Sequence, residues 1–158
     1  MVKKQTPRET ILELGKECRN CGRCCQYTSG YVLPEDIKPI ADYLRITEEE
    51  LKAQYLEEVD VFNTTLHKPK TKAKPYGPCV FYDKGCSIHA VKPFHCRIGT
   101  CSKHGKAITE WFYLNYCVTD NISSLRQWAA RVKVIPTIEG GRIDELVTTD
   151  LKKKILGE

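Results

Sequence analysis

No apolar run in this chain approaches the roughly 20 residues that a bilayer span requires. The opening Met1-Val2-Lys3-Lys4-Gln5 runs into polar residues without the apolar core of a secretory signal. Both absences lead to the expectation of a cytoplasmic protein that does not enter a membrane. Also missing are a glycine-rich phosphate or dinucleotide loop, a C-x3-C-x2-C radical-type arrangement, any internal repeat and any low-complexity segment. Neither sign of charge dominates, with 25 Lys and Arg against 20 Asp and Glu. The net charge of +5 permits an acidic partner or RNA without arguing for either. The one lysine-rich stretch, His67 to Pro75, has no aromatics between its lysines, which weakens the case for nucleic acid. It reads as a solvated loop or an edge hairpin.

Cysteine, by contrast, is abundant. The 158 residues hold nine, an odd number that excludes complete internal pairing. In the cytosol dense cysteine points to metal or redox chemistry rather than structural disulfides. Four of the nine, Cys18, Cys21, Cys24 and Cys25, fall within eight residues as C-x2-C-x2-C-C. A bend with thiols at this spacing aims two or three sulfurs at one point, as a soft metal requires. Neighbouring side chains on an extended backbone point in opposite directions. Cys24 and Cys25 are therefore expected to face two sites, or to be one ligand and one buried thiol. Cys79, Cys86, Cys96, Cys101 and Cys117 come from one later region, so the fold has to bring two distant segments together.

The pattern predicts an α+β fold: a single helix-rich domain over 1–158, with short strands and hairpins organised around a cysteine metal centre. Thr6-Pro7-Arg8-Glu9 reads as a capped helix start and Gly15 as its end. Pro34-Glu35-Asp36 opens a second helix whose Ile37, Ile40, Ala41 and Leu44 form one apolar face, with Pro39 as a blemish. Thr47-Glu48-Glu49-Glu50 is a capping box for a third helix, with Leu51, Tyr55, Leu56 and Val59 inward. Cys79 and Cys86 sit at the ends of a predicted hairpin, close enough to share a metal. C-terminal helices and a hairpin occupy 107–158, with Trp111 and Trp128 as core anchors and Ile122, Leu125 and Val132 facing inward. A short helix or frayed tail ends the chain.

Cys18 to Cys25, followed by Gly77-Pro78-Cys79-x-Phe81 and Cys86-Ser87-Ile88-His89-x-x-Lys92-Pro93-x-x-Cys96-Arg97, resembles a known family. These are the zinc- or iron-chelating proteins named for their C-x2-C-x2-CC cysteine cluster. The helices opened by Pro34 and Thr47 are similar to that family as well. Lys92-Pro93 stands where Arg-Pro is usual. The family region is expected over about 18–101. The resemblance implies Cys18, Cys21, Cys24, Cys25, Cys79, Cys86 and Cys96 as metal ligands, with Cys101 or Cys117 as a possible eighth. A bacterial flagellin lysine methylase carries a similar cysteine block, which implies a methyltransferase-related enzyme as one alternative.

Zinc and iron–sulfur centres both take thiolates. C-x2-C-x2-C wraps three corners of a [4Fe–4S] cluster in bacterial ferredoxins, whereas zinc sites more often pair two separated C-x2-C knuckles. The later spacings here are x6, x9, x4 and x15, so the second knuckle is missing and the choice tips toward iron–sulfur. Two centres are expected, with Cys18, Cys21 and Cys24 on the iron–sulfur one and Cys25 facing the second. His89 and His95 are secondary ligand candidates. Arg97 is expected either to donate to a cysteine sulfur or to pair with a carboxylate. The function expected is an iron–sulfur electron-transfer or assembly accessory of a larger protein complex. The alternative is a zinc-stabilised interaction module.

Overall fold

The computed structural model describes residues 2–17, 21–134, 137–138, 141–142, 149–150 and 153. Helices α1 (Arg8–Gly15), α2 (Pro34–Leu44), α3 (Glu48–Tyr55), α4 (Phe94–Arg97), α5 (Gly105–Tyr116) and α6 (Ile122–Val134) dominate it. Two two-stranded ladders accompany them, β1 (Leu56–Val61) with β2 (Thr64–Pro69) and β3 (Thr137–Ile138) with β4 (Gly141–Arg142). The architecture is α+β and helix-rich, as expected. The chain divides into two compact units. A cysteine unit comprises Cys18–Val59 and Leu66–Arg97, and a terminal unit comprises Met1–Glu17, Asp60–Thr65 and Ile98–Glu158.

In the cysteine unit, α2 buries Ile37, Ile40 and Ala41 as its periodicity predicts. The Asp36 carboxylate takes the amide of Leu33 at 2.9 Å and so closes the first turn. Pro39 is accommodated inside the helix. Thr47 and Glu50 form the expected reciprocal cap of α3, at 3.1 and 2.8 Å. That helix ends at Tyr55, earlier than its pattern suggests, and Leu56 begins a strand. The Lys70 ammonium donates to the carbonyls of Ala53 and Gln54 at 2.7 and 3.2 Å, satisfying the last-turn acceptors that stop α3 there. The core is Val32, Ile37, Ile40, Ala41, Leu51, Leu56, Phe81 and Ile88, and Cys79 is part of it.

The hairpin of β1 and β2 has no Asn-Gly signature. Its two turn residues, Phe62 and Asn63, both adopt positive φ (52° and 60°), as a tight two-residue loop demands. A phenylalanine rarely sits there. Within the terminal unit its ring stands edge-on to Tyr113 and Trp128, with centroids 5.1 and 5.7 Å away, which offsets the backbone cost. The lysine run accordingly opens on one strand of a hairpin, the second of the two expected forms.

The terminal unit is built on α1, α5 and α6. Pro7, not Thr6, caps α1, because the Thr6 hydroxyl accepts from the Lys3 amide at 2.7 Å instead. Trp111 and Trp128 are buried, and the Trp111 indole N–H donates to the Thr6 carbonyl at 3.0 Å. Asn121 caps α6 through the Ser123 amide at 2.8 Å. Leu125 faces inward as expected, but Ile122 is exposed, because it stands on the outer side of the first turn. β3 and β4 pair antiparallel, Thr137 with Arg142 and Ile138 with Gly141. The side chain of Val132 and most of the predicted terminal helix lie outside the described residues.

Glu110 is buried on α5 and pairs with Arg131 of α6, whose guanidinium also lies 5.0 Å over the Tyr113 ring. Burial raises the Glu110 carboxyl above its ordinary value of 4.5, against the opposing pull of Arg131. An acid shifted upward by folding holds its proton more tightly when folded. Its stabilising contribution is present below the unfolded value and is lost as pH rises through the folded one. Glu110→Gln is expected to flatten this decline and to stay within about 1 kcal/mol of the parent at neutral pH. Glu110→Leu, which removes the acceptor facing Arg131, is expected to cost about 2 kcal/mol. Urea unfolding across the acidic-to-neutral range checks both, and an unchanged slope in the Gln variant would exclude Glu110 as its source.

Candidate metal centre

The thiols reach one region by backbone pairing, together with the predicted hairpin turn before Cys86, where the Ser87 amide donates to the Phe81 carbonyl at 2.8 Å. Gly22 turns the bend with φ at +73°, and the 3-10 turn Cys24–Gln26 follows. The Cys79 amide donates to the Cys25 carbonyl at 2.7 Å, and the Gly77 amide donates to the Tyr27 carbonyl at 3.2 Å. These two bonds lay the 77–79 segment alongside 25–27. Cys79 also bridges to Thr71, and Cys86 closes a tight turn back to Tyr82. Cys96 is presented on α4.

Within the cysteine unit Cys24, Cys25, Cys79, Cys86 and Cys96 are close enough to feel one another's charge. The couplings cross the two segments: Cys96 senses Cys24, Cys79 and Cys86, and Cys25 senses Cys86 and Cys96. Cys21 is exposed on the bend. Cys18 lies outside the described residues. Cys101 and Cys117 belong to the terminal unit, where Cys101 is exposed and Cys117 buried, its thiol pushed up to about 12 by desolvation.

One geometric expectation fails. Cys24 and Cys25 do not diverge, and their sulfurs stand 3.8 Å apart. The backbone here is 3-10 rather than extended, so successive side chains are not thrown to opposite faces. A tetrahedral ion with metal–sulfur bonds of about 2.3 Å places its sulfurs about 3.8 Å apart. The pair therefore fits one edge of a mononuclear thiolate site. It does not fit two separate irons of a cubane, whose thiolates radiate from different corners.

The electrostatics prepare some of these sulfurs for negative charge. A hydrogen bond from the Cys25 thiol lowers Cys24 to about 6 against the cost of burial, helped by the backbone amides of both residues and by Lys92. The same bond, with burial, pushes Cys25 strongly up. Burial raises Cys79, while the Phe81 amide donates to its sulfur and pulls the other way. Cys96 is pushed up to about 12 by desolvation, and the Gly30 amide donates to its sulfur. Amide donors at three sulfurs are what buried thiolates need, and a bound cation would supply the missing compensation. The donor set thus fits a soft metal by chemistry. Among the described residues no group of three His, Cys, Asp or Glu side chains converges tightly enough to hold an ion as it stands.

The histidines separate cleanly. His95 is enclosed, and its Nδ1 accepts from the Tyr31 amide at 3.3 Å, so the ring is neutral with its proton on Nε2. That tautomer removes Nδ1 from the pool of ligands. His89 is exposed beside Lys92, with 3.2 Å between Nε2 and Nζ. Arg97 pairs with a carboxylate rather than a sulfur, lying 3.9 Å from Asp36. Sequence reasoning missed Gly30 and Asp36. The nearest signals were the position of Gly30 just after the cysteine bend and the Pro34-Glu35-Asp36 helix start.

A family model named CxxCxxCC and described as a "Putative zinc- or iron-chelating domain" matches residues 17–118. The match extends past Arg97 and takes in Cys101 and Cys117, beyond the stretch in which the resemblance was visible. No curated protein and no solved structure matches the chain.

A Cβ added at Gly30 would lie 2.5 Å from the Cys96 sulfur and 2.9 Å from His95 Nδ1. At 2.5 Å something has to give, and the Cys96 sulfur is the nearer of the two. Gly30→Ala is expected to weaken metal binding by roughly 10- to 100-fold, the usual range for disturbing groups that support a ligand. Competitive zinc titration checks it, with helical circular dichroism retained. Unchanged affinity would remove Cys96 from the centre.

Proposed function

We propose, given that the chain belongs to the CxxCxxCC family of zinc- or iron-chelating domains, that its cysteine unit is a thiolate metal-chelating module. Cys24 and Cys25 are two ligands of one tetrahedral ion, and Cys96 with one of Cys79 and Cys86 completes its shell. The observation that carries this reading is the 3.8 Å between the first two sulfurs. The protein's own contribution is to hold the thiols together before the metal arrives. The Cys79–Cys25 backbone bond joins the two segments, amides of Cys25, Phe81 and Gly30 donate to sulfurs, and the core residue Cys79 limits water access. Zinc bound there would act as a structural clamp, and iron would add one-electron chemistry.

The Cys18–Cys21–Cys24 spacing favours a second reading. In it a [4Fe–4S] cluster takes those three thiols plus one remote cysteine, and the protein serves electron transfer or assembly within a larger complex.

Anaerobic metal and acid-labile sulfide analysis with a visible spectrum separates the two. The mononuclear reading expects one metal ion per chain without sulfide, and comparable losses of affinity in Cys24→Ser and Cys25→Ser. Sulfide in proportion to iron, with broad visible absorbance that survives Cys25→Ser, would overturn it in favour of the cluster. Chelation is expected to disturb the cysteine bend while leaving much of the helical circular dichroism, because α1, α5 and α6 pack around their own buried side chains.

A further inference from the structure

Cys96 sits inside a helix of only four residues, α4, too short to hold its shape by internal hydrogen bonds. Something outside the helix has to fix it. The carboxylate of Asp36, only 5% exposed, touches both ends. Its Oδ1 accepts from the amide of Phe94, the first residue of α4, at 3.1 Å. The Arg97 guanidinium, on the last residue, stands 3.9 Å from the same oxygen and 5.8 Å over the Phe94 ring. The other oxygen is held by the Leu33 amide at 2.9 Å, at the start of α2. One buried carboxylate therefore anchors α4 to the N-terminus of α2. On the opposite side Gly30 and Tyr31 offer consecutive amides to Cys96 and His95.

We propose that Asp36 is a positioning residue for Cys96, setting where its sulfur stands relative to the other thiols. The inference rests on the chelating reading above for its consequence to metal, but the Asp36 contacts are made within the chain itself. Asn at this position keeps the size of the side chain. Its amide nitrogen faces one of the two backbone donors, so one hydrogen bond is lost together with the charge facing Arg97.

The test uses the full-length protein in two arms, with Asp42→Asn, an exposed change on α2, as the control. In the first arm, metal-free protein is labelled with a maleimide and each cysteine is followed by mass spectrometry. Asp36→Asn is expected to raise the labelling rate of Cys96 roughly tenfold, the effect of one lost hydrogen bond to a charged group. Cys79 and Cys117 are expected to be unchanged. An unaltered Cys96 rate, or Cys79 rising in step with it, overturns the proposal, because the carboxylate then supports the unit generally or not at all. In the second arm, cobalt(II) is titrated and its thiolate charge-transfer band recorded. Asp36→Asn is expected to weaken binding, and to add nothing further in a Cys96→Ser background. Additive losses would show that Asp36 does not act through Cys96. Absence of the band in the parent protein overturns the chelating reading, and the labelling pattern then decides the positioning role alone.

Discussion

The candidate centre depends on one backbone hydrogen bond, from the amide of Cys79 to the carbonyl of Cys25 at 2.7 Å. Residues more than fifty positions apart meet there through their main chains. Closing so long a loop carries a substantial entropy cost. That cost is offset by the core beneath it, where Cys79, Phe81 and Ile88 pack with Ile37, Ile40 and Leu51. The thiols are thus assembled by hydrophobic burial and a short stretch of strand-like pairing.

Gathering thiols without a cation is unfavourable, since each sulfur is taken from water and placed near others of like charge. The protein moderates this at particular atoms. Cys24 is relieved by a donated thiol hydrogen and by amides, and Cys79 and Cys96 each receive one amide. Cys25 carries the converse burden, keeping its proton as the donor to Cys24. The adjacent pair is therefore divided into one proton acceptor and one donor, and the two converge because the backbone turns at that point.

How far the sequence revealed this varies with the physics involved. Helices α2 and α3 were legible because an apolar face at helical spacing and the Thr47–Glu50 box are local signals. The family was legible from the number and spacing of its cysteines. The divergence of Cys24 and Cys25 was misread because it assumed an extended backbone, and the 3-10 turn follows from packing that no local pattern encodes. The Phe62-Asn63 turn was hidden for a similar reason: a left-handed phenylalanine is tolerated only because Tyr113 and Trp128 lie beside it. Pro34-Glu35-Asp36 was legible only as a helix start, and the reach of Asp36 to Phe94 joins residues 58 positions apart.

The lysine-rich stretch has a consequence for encounters with polyanions. Lys68 and Lys74 already share the Glu57 carboxylate, at 3.5 and 2.7 Å. Lys70 and Lys72 donate to main-chain carbonyls. A phosphate backbone gains affinity from a cation chiefly by shedding the counterions condensed on itself. To collect that entropy here it would first have to break contacts within the protein, two of which neutralise charge. Along this edge the four ammonium groups are already engaged, and a polyanion would have to exchange protein contacts for its own before it gained from their charge.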